Sequence, residues 1–234
     1  MSHAGNNSRV TLVWDLPLRV IHWLLVVLVP ASWVTQSLGG RYMDLHVWLG
    51  YAMGVLIVFR VAWGLLGPRS ARFATFLRGP RAVAAYLRDW IRGRPAVHAG
   101  HNPAGGWAAI AMLALLAAQV TSGMMNSDDT LHYGPWHFAV SAEAADTAGA
   151  VHDRGFDVLL ALIAVHVVAI LLYQLRLGHD LVRPMITGRM PVDGPGIGGS
   201  RLWLACLLLM IAAAVIWAVV ASAPAPDPVD MGLF

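Results

Sequence analysis

Histidine is the residue type through which this chain could carry out metal or redox chemistry. Its 234 residues include ten histidines but a single cysteine, Cys206. One cysteine excludes an internal disulfide, a cysteine-ligated cluster and a CxxCH motif for covalent cofactor attachment. Any bound metal must therefore be held by imidazole nitrogens.

The elements that position these histidines are membrane spans. Hydrophobic residues make up 58% of the chain and charged residues 12%, about half the charged fraction of a typical soluble domain. This composition excludes a soluble enzyme and a disordered chain. A bilayer core about 30 Å thick requires roughly 20 apolar residues in a helix. We predict an all-α integral membrane protein, a four-helix bundle plus a fifth C-terminal span, over residues 16–35, 45–66, 104–125, 155–175 and 202–223.

The arginines predict the orientation of these spans. On one side we place fourteen of the sixteen: Arg9, Arg19, Arg60, Arg69, Arg72, Arg78, Arg81, Arg88, Arg92, Arg94, Arg176, Arg183, Arg189 and Arg201. Only Arg41 and Arg154 fall on the other side, which carries most of the acidic residues. The positive-inside rule then predicts a bacterial inner-membrane protein with a cytoplasmic N-terminus and a periplasmic C-terminal tail. Because Asp15 and His22 interrupt the first apolar segment, we interpret it as a retained span rather than a signal peptide.

Two loops have recognisable patterns of their own. Residues 80–93 repeat apolar side chains with helical spacing and place arginines on the opposite face. This pattern predicts an amphipathic helix on the cytoplasmic lipid surface, with docking of a cytoplasmic partner as the alternative. Residues 191–201 are rich in proline and glycine and predict a flexible linker before the fifth span, which belongs to the C-terminal region 202–234.

Four histidines lie at matching depths in the apolar segments. His152 and His166 are fourteen residues apart, which places them on one helix face and about 21 Å apart along the axis. His22 lies in the cytoplasmic half of the first span, at the level of His166. His46 lies just inside the periplasmic surface, at the level of His152. The sequence therefore predicts two bis-imidazole sites stacked across the bilayer.

An iron porphyrin suits such paired imidazoles better than zinc does, because zinc usually takes a third or fourth protein ligand. Gly50, Gly54 and Gly123 could allow a flat macrocycle to approach the helix backbones. A metal-ion transporter that uses intramembrane histidines is the more distant alternative.

Several long segments carry a family resemblance. VWDLPLRVIHW, GHNPAGGWAAIAMLALLAAQVTSG and HDLVRPMITGRM, among others, resemble the bacterial cytochrome b561 family, di-haem b-type cytochromes related to the cytochrome b subunit of nickel–iron hydrogenases. The resemblance covers about residues 12–190. It implies a four-helix core with two non-covalent haem b groups and assigns His22, His46, His152 and His166 as axial ligands. Residues 126–149 and the fifth span have no counterpart in this resemblance.

Four further polar residues are candidates for supporting roles. Arg19 and Arg154 could pair with haem propionates at the cytoplasmic and periplasmic sites, although both could simply extend to the interface. Asp153 could accept a hydrogen bond from His152 and raise the basicity of its imidazole. His101 could face a propionate or a quinone headgroup, or serve only to begin the third span.

The segment LHYGPWHF contains two more histidines, His132 and His137. We interpret this segment as a cap over the periplasmic haem or as a docking surface for a redox protein, in preference to a separate metal site.

The predicted function is electron transfer across the inner membrane between the quinone pool and a redox partner. Two axial ligands per iron suit one-electron transfer and disfavour oxygen binding. Candidate partners are membrane lipid, quinone or quinol, a periplasmic cytochrome c, and dehydrogenase or hydrogenase subunits; the arginine distribution argues against nucleic acid. The protein could act as an electron carrier or as the membrane subunit of a quinone-linked oxidoreductase. A superoxide:quinone oxidoreductase is the alternative, disfavoured by an acidic periplasmic face.

Overall fold

Five long apolar helices dominate the computed structural model, which describes residues 10–94, 98, 100–128, 132–191 and 199–225. The elements are β1 (Val10–Leu12), α1 (Leu16–Leu38), α2 (Met43–Leu66), α3 (Phe73–Phe76), α4 (Pro80–Ile91), α5 (Pro103–Gly123), α6 (Ala142–Leu177), α7 (Val182–Thr187), β2 (Arg189–Pro191) and α8 (Leu202–Ala221). Helices α1, α2, α5, α6 and α8 are long and apolar enough to cross a membrane. The predicted all-α membrane fold is confirmed.

The first four long helices pack in sequence order, and the fifth packs against α2. Close neighbours are α1 with α2, α2 with α5, α5 with α6, and α2 with α8; α1 and α6 are not among the closely packed pairs. One apolar core lies between α1, α2 and α8, and a second between α2, α5 and α6. We call the end that carries α4 the α4 end. The opposite end is the cap end, after the cap formed by residues 124–128 and 132–141.

Side-chain caps define where α1 and α5 begin. The carboxylate of Asp15 accepts a hydrogen bond from the Leu18 amide at 2.9 Å and another from Trp63 Nε1 at 3.0 Å. Asp15 is fully buried, and this burial raises the pKa of its carboxyl group, while the bonds from Leu18 and Trp63 act against the rise. Asn102 caps α5 in the same way. The Asp15 contact also fixes the α4 end of α1 against the end of α2.

A short antiparallel ribbon closes the α4 end. Strand β1 pairs with β2, so that Val10 lies opposite Pro191. Next to it, the amides of Val13 and Trp14 both donate to the Gly188 carbonyl, and Gly188 has a φ of 81° that favours glycine. The sequence analysis did not predict this ribbon, which ties the N-terminal segment to the chain that follows α6.

Helix α6 differs most from its predicted span, because it begins at Ala142 rather than near residue 155. Ser141 caps it by accepting a hydrogen bond from the Ala144 amide, and Glu143 stands in its first turn. Its 36 residues extend about 54 Å, well beyond a ~30 Å hydrocarbon core. Hydropathy detects only the part that crosses the membrane, so the polar first turns were wrongly assigned to a loop.

The other boundaries lie close to their predictions. Helix α4 occupies Pro80–Ile91 of the predicted 80–93. Residues 192–198 of the predicted linker and residues 226–234 of the predicted tail lie outside the described residues.

The fifth span packs against a glycine of α2. A Cβ atom at Gly54 would lie 3.1 Å from Ile216 of α8 and 3.3 Å from Val120 of α5. Gly54 therefore lets three helices approach one another. The expectation that it faces a macrocycle is wrong.

Candidate functional site

His46 and His152 form the best-defined pair of functional side chains. His46 lies in the first turn of α2, and His152 lies three turns into α6. Their ring centroids are 6.1 Å apart and their planes are nearly perpendicular, at 77°. The structure thus brings together the two histidines that the depth argument paired at this end.

The two rings are held by equivalent hydrogen bonds. His46 Nδ1 lies 2.9 Å from the Ser32 carbonyl oxygen and 3.2 Å from the Ser32 hydroxyl. His152 Nδ1 lies 3.0 Å from the Gln119 carbonyl oxygen and 3.3 Å from the Ser122 hydroxyl. A carbonyl oxygen can only accept, so each Nδ1 carries the proton and each Nε2 presents a lone pair. This is how histidines that bind metals are commonly oriented.

Gln119 makes a second contact with α6, because its side-chain amide donates to the His152 carbonyl at 2.8 Å. We expected the carboxylate of Asp153 to be the partner of His152 Nδ1. The partner is instead the backbone carbonyl of Gln119. The sequence analysis missed Ser32, Gln119 and Ser122. Their only signal was that they are polar side chains in apolar helices.

A cavity of about 770 Å³ lies beside this pair and is lined by both histidines. Its size is within the range of cofactor and ligand pockets. Gly50 lines it, and a Cβ at Gly50 would meet no atom within 4 Å. Gly123 also lines it, but a Cβ there would lie 2.9 Å from Cε1 of His152. Gly50 leaves room for a flat group, whereas Gly123 leaves room for the imidazole.

The cap forms the wall of the cavity farthest from α4. Tyr133, Gly134 and His137 line it, and Trp136 Nε1 donates to the Val219 carbonyl of α8 at 3.1 Å. His137 Nδ1 lies 3.1 Å from the Met125 carbonyl oxygen. These contacts agree with the interpretation of this segment as a cap.

His132 connects the cap to the start of α2. Its Nδ1 lies 2.8 Å from Asp128, and its Nε2 lies 3.7 Å from Asp44. Within the described part of the chain, no group of three or more histidine, cysteine or acidic side chains has the arrangement of a metal site.

At the α4 end, His22 and His101 each bury an Nδ1 atom that has no hydrogen-bond partner among the described residues. The His101 ring lies between Trp14 and Phe76, with centroid distances of 4.8 and 4.3 Å. Burial lowers the pKa of His101 to about 3, and the charges of Arg60, His166 and His22 act in the same direction. His101 is therefore neutral, and both histidines predicted to pair at this end contribute to the lowering of its pKa.

The arginines do not all lie where we expected. Arg19 donates to the Ile186 carbonyl of α7, and its neighbour Trp23 donates to the Met185 carbonyl at 3.2 Å. Arg19 thus holds α7 against α1. Arg154 lines the cavity at the cap end, as a propionate partner there would have to. Arg60, which we grouped with the arginines of the cytoplasmic side, is buried inside α2.

The donor set at the cap end fits a bis-imidazole metal centre. A nitrogen–metal bond of about 2.0 Å on each side would put two imidazole centroids a little over 6 Å apart, close to the observed 6.1 Å. Both rings present a lone-pair nitrogen, and a large cavity adjoins them. Two imidazoles facing a cavity inside a helical membrane bundle suit haem iron.

The chain belongs to the prokaryotic cytochrome b561 family, whose family model matches residues 13–188. The match extends from the residues before α1 to the end of α7 and stops before α8. Membership makes the protein a membrane cytochrome b with b-type haem as its cofactor. A comparison with individually curated proteins gives no match.

Proposed function

We propose that this protein transfers electrons across the bacterial inner membrane, between the quinone pool and a redox partner, through two non-covalent haem b groups. The observation that carries the proposal is the His46–His152 pair, with its 6.1 Å centroid distance and equivalent Nδ1 anchors. When bound, haem supplies one-electron iron chemistry.

His46 and His152 would hold one haem at the cap end, and His22 and His166 a second at the α4 end. The fourteen-residue spacing of His152 and His166 supports this arrangement, since it separates the levels by about 21 Å. Two ligands per iron leave no position for oxygen, which favours electron transfer. The buried Nδ1 atoms of His22 and His101 are open to partners such as a propionate or a quinone.

The residues around the pairs orient ligands and limit access by water. The Ser32 and Gln119 carbonyls keep Nδ1 protonated, so Nε2 stays available to a metal. The cap covers one end of the cavity, and Arg154 on its wall could balance the charge of a propionate. His101, which is neutral, could donate to or accept from an uncharged quinone.

The charges favour one orientation and one kind of partner. Helix α4 and the arginines around it would face the cytoplasm. Asp128, Asp146, Asp153 and Asp157 line the cavity at the cap end, which suits a basic carrier such as a periplasmic cytochrome c. Dehydrogenase or hydrogenase subunits are the other candidates. The same acidic lining would repel superoxide, so it disfavours a superoxide:quinone oxidoreductase.

The test is the haem content and spectrum of the purified protein. We expect two haems per chain, low-spin b-type bands in the reduced-minus-oxidised spectrum, and reduction by a quinol or oxidation by a quinone. A colourless protein would contradict the proposal and favour a metal-ion transporter, whereas a single haem would contradict the two-site arrangement.

A further inference from the structure

Arg60 is a buried cation inside the membrane helix α2 and is separate from the proposed haem ligands. Its side chain is 9% exposed. Among the described residues, the guanidinium makes one long hydrogen bond, 3.4 Å to the Ala71 carbonyl, and lies over the Phe73 ring at 4.9 Å. Burying a charge without a close partner is costly, and intramembrane charges commonly mark functional sites.

Two independent contacts place Arg60 within about 6 Å of the depth of His22. Asp15 and Trp63 are hydrogen-bonded and therefore lie at about the same level. His22 is seven residues from Asp15, and Arg60 is three residues from Trp63. At about 1.5 Å per residue, Arg60 lies about 6 Å closer to the α4 end than His22 does. The Ser32–His46 contact at the opposite end gives the same offset of about 6 Å. Arg60 also follows His46 by fourteen residues, just as His166 follows His152. Arg60 and His166 therefore lie at nearly the same level.

Two phenylalanines of α3 seal this region from the α4 end. Phe73 packs against Gly64 of α2, where a Cβ would overlap its ring. Phe76 packs against Gly106 of α5, where a Cβ would lie 2.9 Å from the ring. Phe73 covers Arg60, and Phe76 covers His101, which interacts electrostatically with Arg60, His22 and His166. Because Arg60 is buried, its charge is weakly screened and acts strongly on its neighbours.

The nearby counter-charge is Asp15, which lies farther than Arg60 from the level of His22 along the helix axis. It is fully buried and interacts electrostatically with Arg60, although Oδ1 bonds to Leu18 and Trp63 instead. Asp15 precedes His22 by seven residues, which is about 10 Å along the helix. The closer cation should therefore dominate the potential at the α4-end site.

We propose that Arg60 raises the reduction potential of the α4-end haem, with Asp15 partly offsetting it. Reduction adds one electron to the iron and lowers its charge by one, so a fixed neighbouring cation stabilises the reduced form. This inference depends on the proposed haem held by His22 and His166.

The test is a redox titration of the purified holoprotein in which each haem is followed spectroscopically. In Arg60→Met, both haems should remain and the midpoint of one should shift downward. His46→Ala protein, which keeps only the α4-end haem, identifies the band that shifts. Arg60→Lys should restore the wild-type midpoint because it keeps the charge. Arg88→Gln, which removes an exposed arginine of α4, should leave the midpoint unchanged.

Asp15→Asn provides the opposite test, because asparagine can still accept from Leu18 and Trp63 while the negative charge is lost. The same midpoint should shift upward. This variant tests the electrostatic effect of the buried charges if Arg60→Met does not assemble. Unchanged potentials in Asp15→Asn, or in an assembled Arg60→Met, would overturn the proposal, as would a shift confined to the cap-end haem. An equal downward shift in Arg60→Lys would also overturn it, since the effect would then be structural. A wild-type protein without an α4-end haem would instead refute the proposed function.

Discussion

The absence of a Cβ atom at Gly123 leaves room for the His152 ring beside α5. A Cβ at Gly123 would lie 2.9 Å from Cε1 of His152, and His152 is held in place by Gln119 and Ser122. The imidazole therefore cannot turn away without losing its hydrogen bonds. At this position the backbone, and not only the ligand, defines the geometry of the site.

Gly123→Ala should accordingly weaken the cap-end haem. We expect the haem content to fall from two toward one per chain, with the α4-end haem retained. Gly79→Ala is the matched control, because a Cβ there meets no atom within 4 Å. Two haems with a wild-type spectrum in Gly123→Ala would show that the ring position is not constrained in this way.

His101 should make the protein sensitive to acid. The pKa of His101 is lowered to about 3 by burial and by neighbouring positive charge, whereas an unfolded histidine titrates near 6.5. Between these values the unfolded chain binds a proton that the folded protein does not, so stability is lost as the pH falls below about 6.5.

The measurement is the thermal unfolding temperature from pH 7.5 to 4.5. In His101→Gln the loss of stability on acidification should be smaller than in the wild type. His179→Gln, which changes a half-buried histidine elsewhere at the α4 end, should retain the wild-type slope. Parallel slopes in His101→Gln and the wild type would contradict this prediction.

At the scale of elements, the sequence predicted what depends on local chemistry. The first and third spans were predicted to begin at residues 16 and 104, and α1 and α5 begin at Leu16 and Pro103. Helical periodicity predicted α4 to within two residues.

What the sequence did not predict depends on contacts between distant residues. The Ser32 and Gln119 carbonyls that anchor the histidines are backbone groups, which leave no residue-type signal. Arg60 was grouped by its charge with the cytoplasmic arginines, because a hydropathy window does not show whether a residue near the end of a span faces inward. The β1–β2 ribbon consists of three-residue strands, too short to produce a pattern.

Helix α8 should be sensitive to the size of residue 54. Gly54→Val would push its side chain into Ile216, and overpacking of this kind usually costs about 1–3 kcal/mol. We expect the temperature at which haem is lost to fall. Ile216→Ala in the same chain should recover part of the loss, because neighbouring substitutions are not additive. If the effects of the two substitutions on this temperature simply add, residue 54 does not act through Ile216, which would contradict the prediction.

At the scale of the whole molecule, the two ends differ in charge and in construction. The α4 end carries the amphipathic helix, the ribbon and most arginines, whereas the cap end carries the cavity, the cap and a cluster of aspartates. This asymmetry supports the proposed orientation of the molecule in the membrane. The two predicted haem levels, about 21 Å apart, would then connect one surface of the bilayer with the other.

The assigned direction can be tested with fusions to the intact chain. A reporter fused after Phe234 should be active in the periplasm, and one inserted near Arg92 should be active in the cytoplasm. The reverse pattern would exchange the two surfaces and overturn the proposed orientation.

The central claim is that four histidines form two separate pairs, and haem content in alanine variants tests it most directly. The haem per polypeptide is measured as pyridine haemochrome, and potentiometry identifies the surviving haem. His46→Ala and His152→Ala should each lose the cap-end haem, and combining them should add little, because both serve one site. His22→Ala and His166→Ala should each lose the other haem. If His46→Ala and His22→Ala retain the same haem, the pairing is wrong.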